Sequence, residues 1–293
     1  MVKSELLCPV GWSDYELLDS GNFEKLERFG RYIIARPEPQ AIWDRSMSAD
    51  EWDRLADARF RKDRRSDDRG EWILRDGMPE QWFVGYEKEG LRLRIRLGLT
   101  SFKHVGIFPE QSENWDFIYR QVRDNFPGAK VLNLFAYTGG ASLAARAAGA
   151  EVTHVDSVKP VVGWARENME ASGMDGIRWI VDDALKFVRR ELRRGHLYQG
   201  IILDPPAYGR GPDGEKWVLE EHLNEMLRTC GRLLDRKGFL VLNLYSMGLS
   251  ALLARSAVRQ LVGACRDEQF GELYFTDSYG KSLPLGVYYR CVR

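Results

Sequence analysis

Cysteine is scarce in this chain, and its four residues, at 8, 230, 265 and 291, stand far apart. No two have metal-ligand or redox-motif spacing, which argues against a cysteine metal cluster and for reduced thiols in a cytosolic protein. An excess of one charge is missing too. Lys plus Arg and Asp plus Glu each number 43, so global charge draws the chain neither to nucleic acid nor to a membrane. A local basic face stays open. No apolar run reaches membrane-spanning length and the N-terminus has no signal-peptide core, so no membrane partner is expected. Internal repeats and low-complexity tracts are absent. Two nucleotide motifs are absent as well: G-x-G-x-x-G, which admits a pyrophosphate, and a G-x-x-x-x-G-K-[ST] loop behind a strand.

What is present suits a folded enzyme. The 293 residues, 44% hydrophobic and 29% charged, can bury a full α/β core and a second, smaller domain. The chain is organised around residues 130–156. Val131-Leu132-Asn133-Leu134-Phe135 reads as a buried strand. Tyr137-Thr138-Gly139-Gly140 is a turn, residues 141–148 form an alanine-rich helix, and Gly149 stops it. Residues 152–155 are a second strand ending on Asp156. Strand, glycine turn, helix, strand, acid is the nucleoside-binding half of a Rossmann-like sheet.

Alternation continues beyond it. Strands are expected at 178–181, 200–204 and 238–244, with helices at 160–172, 184–194, 217–234 and 250–264. Residues 209–214 read as a glycine-rich loop, and two last strands at 271–275 and 286–292 close the sheet. The expectation is an α/β fold: a seven-stranded, mostly parallel sheet with a C-terminal antiparallel hairpin at 129–293, and a β-rich domain at 1–128 that serves substrate recognition. In the latter, 31–35, 72–74, 81–86 and 91–97 read as strands, Ser48 opens a helix, and 60–69 reads as a solvated segment. Residues 113–126 read as a bridging helix. In 91–97 the leucines and Ile95 alternate with Arg92, Arg94 and Arg96. That arginine face is either a solvated sheet face or a phosphate-contacting platform.

Ligands of open α/β sheets bind beyond the carboxyl ends of the strands. The special residues collect there: the 135–140 turn, Asp156, Asp182-Asp183, Asp204-Pro205-Pro206-Ala207-Tyr208 and residues 243–246. Asp156 can accept both ribose hydroxyls, or cap the next helix. Asp183, with Ala184 after it, can accept from an adenine amino group, while one of Asp182 and Asp183 caps a helix. Gly139 and Gly140 let backbone approach a ligand. Without dinucleotide glycines, the turn suits S-adenosylmethionine, which carries an adenosine and no phosphate. Pro205-Pro206 ends the strand in a rigid corner that aims Asp204 and backbone carbonyls into the cleft, and Tyr208 offers a ring for a flat base. The plainer alternative is a strand exit with a surface tyrosine. His222 reads as a core-facing histidine on the stripe Val218, His222, Met226, and His104 has no assigned role.

The segments LNLFAYTGGAS, VDSVKPVVGWARENME, VDDALKF and LDPPAYGRG resemble those of class I S-adenosylmethionine-dependent methyltransferases. Within these, the chain is similar to bacterial large-subunit rRNA methyltransferases of the cytosine-C5 and guanine-N7 type over about residues 100–245, including Gly106-Ile107-Phe108-Pro109-Glu110-Gln111. The resemblance implies an S-adenosylmethionine site lined by Phe108, Asn133, Phe135, Ala136, Tyr137, Thr138, Gly139, Asp156, Ser157, Asp183, Ala184 and Asp204. It implies catalytic roles for Asp204, Pro205 and Tyr208, and rRNA or another nucleic acid as partner, with no metal. The cytosine-C5 enzymes attack through a cysteine near the end of strand five, where this chain has Asn243-Leu244-Tyr245-Ser246-Met247. The family's N-terminal RNA-binding domain is not recognisable in residues 1–99. The expectation is therefore in-line methylation of a base nitrogen in rRNA, in the cytoplasm, without a thiol nucleophile. The competing expectations are a methyltransferase for a small molecule or protein and a non-catalytic S-adenosylmethionine-binding module.

Overall fold

The computed structural model describes residues 3–63, 69–245, 248–263 and 265–293. In chain order come β1 (Glu5–Leu7), β2 (Tyr15–Gly21), β3 (Glu24–Phe29), β4 (Tyr32–Pro37), α1 (Ala49–Leu55), β5 (Ala58–Lys62), β6 (Gly70–Leu74), β7 (Gln81–Lys88) and β8 (Leu91–Gly98). Then follow α2 (Ser112–Arg120), β9 (Lys130–Leu134), α3 (Gly140–Ala147), β10 (Glu151–Asp156), α4 (Lys159–Ala171), β11 (Arg178–Val181), α5 (Ala184–Arg193) and β12 (Tyr198–Leu203). The rest are β13 (Tyr208–Arg210), β14 (Lys216–Val218), α6 (Leu219–Leu233), β15 (Leu234–Leu244), α7 (Ala251–Leu261), β16 (Arg266–Thr276) and β17 (Ser282–Val292). They divide into two compact units, one of Met1–Leu7, Gln111–Leu273 and Gly286–Arg293, the other of Cys8–Glu110 and Tyr274–Leu285. Position 128, expected as a boundary, lies within the first unit. The reason is local: α2 sits so close on α3 that a Cβ on Gly140 would stand 2.6 Å from the Trp115 ring.

The first unit holds an eight-stranded sheet in the order β1-β16-β17-β15-β12-β9-β10-β11. β9, β10, β11, β12 and β15 run parallel, and β17 is antiparallel to β15. Apolar runs make these strands, because a parallel sheet covered on both faces has no wet side for polar residues. The eighth strand, β1, adds to β16 and has no counterpart in the sequence expectation. Register aligns the carboxyl ends: Leu134 faces Val155 and Leu203, Asp156 faces Val181, and Leu203 faces Leu242. One continuous core joins α5, α6 and α7 to the sheet, with Phe187, Met226, Leu227, Val258 and Tyr289 fully buried. Trp217 opens no helix but lies on β14, which pairs with β13, so residues expected as a loop form a small hairpin.

The second unit has a five-stranded sheet, β2-β3-β4-β5-β6, and the separate hairpin β7-β8. α1 begins with the expected capping box, Ser48 Oγ accepting from Glu51 N–H while the Glu51 carboxylate accepts from Ser48 N–H at 2.8 Å. Residues 60–62, expected in a solvated stretch, belong to β5, with Phe60 buried inside, whereas 64–68 lie outside the described residues. On β7-β8 the alternation holds: Leu91, Leu93, Ile95 and Leu97 are buried, while Arg92 and Arg94 are exposed. Among the described residues no helix is long and apolar enough to cross a membrane, and no three metal-ligating side chains cluster.

Candidate cofactor and acceptor site at the strand ends

The turn after β9 is wound tightly. Phe135, Tyr137 and Gly139 all have positive φ, at 56°, 48° and 94°. Only the glycine takes that conformation without cost, and the two aromatic residues carry strain of about 1–3 kcal/mol each. The surroundings hold them there. Ala136 N–H donates to Val155 O at 3.1 Å, and Gly139 N–H to Ala136 O at 3.0 Å. Asp156 Oδ2 accepts from Tyr137 N–H and Oδ1 from Val158 N–H, each at 2.9 Å. Each carboxylate oxygen keeps a further lone pair for a ligand. Burial raises the Asp156 pKa, and the N–H groups of Val158, Tyr137 and Ser157 oppose the rise. Asp156 thus clamps the turn to the end of β10, and Ser157 joins it through its backbone.

Beneath the turn is a polar layer without a clear sequence signal. Asn133 Nδ2 donates to Ser142 Oγ at 2.9 Å, and Ser142 Oγ lies 3.0 Å from His154 Nδ1. All three are buried. Burial pushes His154 down to about 3, so its imidazole is neutral at physiological pH and braces the turn without charge. Asn168 of α4 donates to Thr138 O at 2.9 Å. A polar residue on an otherwise buried strand or helix stripe is the only trace these leave in the sequence. Asn133, expected at the cofactor, is enclosed in this layer, while Ala136 and Thr138 are nearly buried within the turn itself.

At the end of β11 both acids have structural partners. Asp182 pairs with Arg190 at 2.7 Å and also accepts from Asp183 N–H at 2.9 Å. Asp183 caps α5, accepting from Lys186 N–H at 2.8 Å through Oδ1, and Ala184 after it is buried.

The corner after β12 is the most elaborated. Asp204 Oδ1 accepts from Asn243 Nδ2 at 2.7 Å. Removal from water pushes Asp204 up to about 6, with the Asn243 bond pulling the other way. Pro205 is buried, while Pro206 and Tyr208 are exposed. Trp217 Nε1 donates to Pro206 O at 2.7 Å, so the indole pins the second proline. The Trp217 ring meets Phe135 at 4.7 Å and stacks on His222 at 5.5 Å, which ties the corner to the β9 turn. His222 also bonds the Val218 backbone, in keeping with a core-facing histidine. Ser246 and Met247 lie outside the described residues. Phe108 belongs to the other unit, where its ring lies 5.2 Å from His104.

The thiols stand elsewhere. Cys230 is buried in α6 and Cys291 on β17; burial raises the Cys230 pKa, and the Cys265 thiol together with burial raises that of Cys291, both far out of reach of a thiolate at neutral pH. Cys291 faces Leu240, near the amino end of the parallel run of β15, opposite the edge that carries Asn243.

These features suit a nucleoside cofactor without a phosphate. Asp156 has lone pairs for hydroxyls, Asp183 has one for an amine, and the left-handed turn brings backbone to the strand edge. A search of protein families matches residues 43–261 to the S-adenosylmethionine-dependent methyltransferase model. Among curated relatives, the ribosomal RNA large subunit methyltransferase K/L of Shewanella frigidimarina is 32% identical over 152 residues, covering 50% of this chain and 20% of that protein. The chain thus spans about a fifth of that relative's length. Among solved structures, the SAM-dependent methyltransferase of Agrobacterium tumefaciens superposes with a TM-score of 0.89 at 39% identity, over 98% of this chain and 93% of that one. A proposed SAM-dependent methyltransferase from Streptococcus mutans shares the fold with a TM-score of 0.73 at 16% identity, over 97% and 76% of the two chains.

Proposed function

This chain belongs to the S-adenosylmethionine-dependent methyltransferase family, and we propose that it methylates a base nitrogen of ribosomal RNA in the cytoplasm. The observation that carries the reading is the Asp204-Pro205-Pro206 corner, where among the described residues the carboxylate is bonded by the Asn243 amide and no thiol stands at its edge. The C5 carbon of a pyrimidine becomes nucleophilic after a thiolate adds to the ring, whereas a nitrogen has its own lone pair. Bound S-adenosylmethionine supplies a methyl group already activated on its sulfonium.

The chain's own residues have three tasks. Asp156 takes the ribose hydroxyls and Asp183 the adenine amine, with the 135–139 turn as the floor. Asp204 and the Pro205 carbonyl accept from the acceptor N–H and align its lone pair, so most of the rate comes from positioning. Once the nitrogen gains its methyl, its proton passes to the Asp204 carboxylate, whose pKa of about 6 suits a base at neutral pH. Tyr208, 52% exposed beside the corner, offers the stacking face. The rRNA assignment is supported by the curated K/L relative and by the outer face of β7-β8, where exposed Phe83 lies under Arg94 at 4.9 Å.

The test incubates enzyme and labelled S-adenosylmethionine with ribosomal RNA from a strain lacking the gene, then maps the product by nucleoside mass spectrometry. Label on a base nitrogen is the expected result. Label on a carbon, or only in a metabolite or protein fraction, overturns the proposal in favour of another acceptor.

A further inference from the structure

Asn243 gives its amide N–H to Asp204 and leaves its own Oδ1 buried with no partner among the described residues. The Tyr288 hydroxyl is in the same condition. An unpaired buried polar group is costly, and one water between a donor and an acceptor on the same sheet face satisfies both. Asn243 on β15 is directly opposite Tyr288 on β17 in the antiparallel register, so their side chains leave the same face of the sheet. Asn243 is 3% exposed and Tyr288 fully buried. The Tyr288 ring is itself held: the Arg290 guanidinium lies 4.6 Å over it and is anchored by its Nε–H to Asn114 Oδ1 at 2.8 Å.

We propose that Tyr288 is a positioning residue for methyl transfer: its hydroxyl donates through one bridging water to Asn243 Oδ1, and so fixes which end of the amide faces Asp204. An amide is nearly symmetric in shape but not in chemistry. With Oδ1 taken by a donor, Nδ2 points to the carboxylate and supports its ionised, proton-accepting form. Rotated by half a turn, the amide would set an oxygen against the carboxylate and disfavour it. The relay Tyr288–Asn243–Asp204 therefore reaches from β17, a strand with no residue in the expected site, to the corner after β12.

The electrostatic surroundings keep the prediction simple. On Asp204 the influences are burial and the Asn243 amide. Around Tyr288 the charged groups are Arg290, Glu5 and Glu113, with burial the largest influence. The neighbouring ends of β9 and β15 bring the apolar residues Leu134 and Leu244.

The inference rests on Asp204 as the proton acceptor, so its test has an arm that needs no methyl acceptor. Full-length protein labelled with 13C-carboxyl aspartate is titrated by NMR, the Asp204 signal being identified by its loss in Asp204→Asn. Asn243→Ala should raise the midpoint by roughly one pH unit, since a hydrogen bond to the charged form is lost. Tyr288→Phe, which deletes only the hydroxyl, should raise it in the same direction by less. The double variant should match Asn243→Ala alone, because a broken relay cannot break twice. Asn243→Leu, which fills the space, replaces Asn243→Ala if the latter does not fold. An unmoved midpoint in Tyr288→Phe, or additive shifts in the double variant, overturns the relay. In the second arm, the acid limb of methyl transfer to the ribosomal RNA substrate is measured for the same variants. Midpoints that move by NMR while wild-type protein transfers no methyl to RNA leave the relay standing and remove the RNA reading.

Discussion

In the N-terminal unit Glu27 lies fully buried between cations, with Arg36 Nη2 donating to Oε1 at 2.9 Å, Lys25 at 3.6 Å and the Tyr15 hydroxyl at 3.0 Å. At the strand edge of the other unit, Asp204 has one neutral amide. Burial raises the pKa of both. At Glu27 the charges of Arg36 and Lys25 and the hydrogen bonds of Arg36 and Tyr15 outweigh it, and the carboxyl is held below its ordinary value. At Asp204 nothing outweighs it, and the carboxyl rises to about 6. Glu27 is fully buried and Asp204 half-buried, yet it is Asp204 that rises, so compensation decides the direction. A fully compensated carboxylate contributes to one fixed arrangement of the chain, whereas an undercompensated one keeps affinity for a proton that a reaction can use. Glu110, also buried, is pushed up to about 7 because Lys25 and Arg36 offset its desolvation only in part while Glu27 repels it. Raised carboxyls thus occur away from the strand edge too, so the shift alone does not single out Asp204.

The contrast breaks most sharply by removing a partner. Arg36→Met takes from buried Glu27 its two-pronged partner, leaving Lys25 at 3.6 Å and the Tyr15 hydroxyl to hold the charge, and should cost roughly 3 kcal/mol in urea unfolding. Loss of less than about 1 kcal/mol would mean that Glu27 reaches water. Asp204→Asn should behave in the opposite way. It removes an undercompensated charge, so the Tm at neutral pH should stay level or rise, while methyl transfer falls by about a hundredfold or more. Unfolding against pH separates the two carboxylates further. With a folded pKa above its unfolded value of about 3.9, Asp204 makes the protein lose stability as pH rises from about 4 to 6. With a folded pKa below its unfolded value, Glu27 contributes stability that is present above about 4.3 and lost as pH falls through the folded pKa. Initial rates should fall tenfold per pH unit below about 6, the Asp204 value. Asp156→Ala comes next: calorimetry should show S-adenosylmethionine affinity reduced by roughly ten- to a hundredfold, since one charged acceptor and the clamp on Tyr137 are lost together. The smallest effect is that of Asp183→Ala on stability, about 1 kcal/mol for the lost α5 cap, read from thermal unfolding.

The parallel sheet was legible because its cause is local. Apolar runs of four to six residues between helical stretches need no knowledge of neighbours, and acids at their ends follow in register. The small unit was less legible. β2, β3, β4 and β5 mix charged residues into buried strands, with Lys25 and Glu27 of β3 and Arg36 of β4 pairing inside and Phe60 interrupting a charged run. Polarity there is satisfied across strands, so a rule that reads charge as solvent exposure fails. Trp217 looked like the start of a helix, yet its task is set by the Pro206 carbonyl eleven residues earlier and the Phe135 ring at the end of another strand.

Sequence alone determined the class of the protein: a doubly covered α/β sheet whose turn and strand-end acids suit S-adenosylmethionine. Periodicity and turn chemistry act over a few residues and are written there in full. Tertiary structure alone decided which of those acids are occupied and which are free. Asp182 is taken by Arg190, Asp183 by the first turn of α5, and Asp204 by one amide from β15. Compensation depends on groups brought together from distant parts of the chain, and an isolated carboxylate in a sequence carries no record of what will face it.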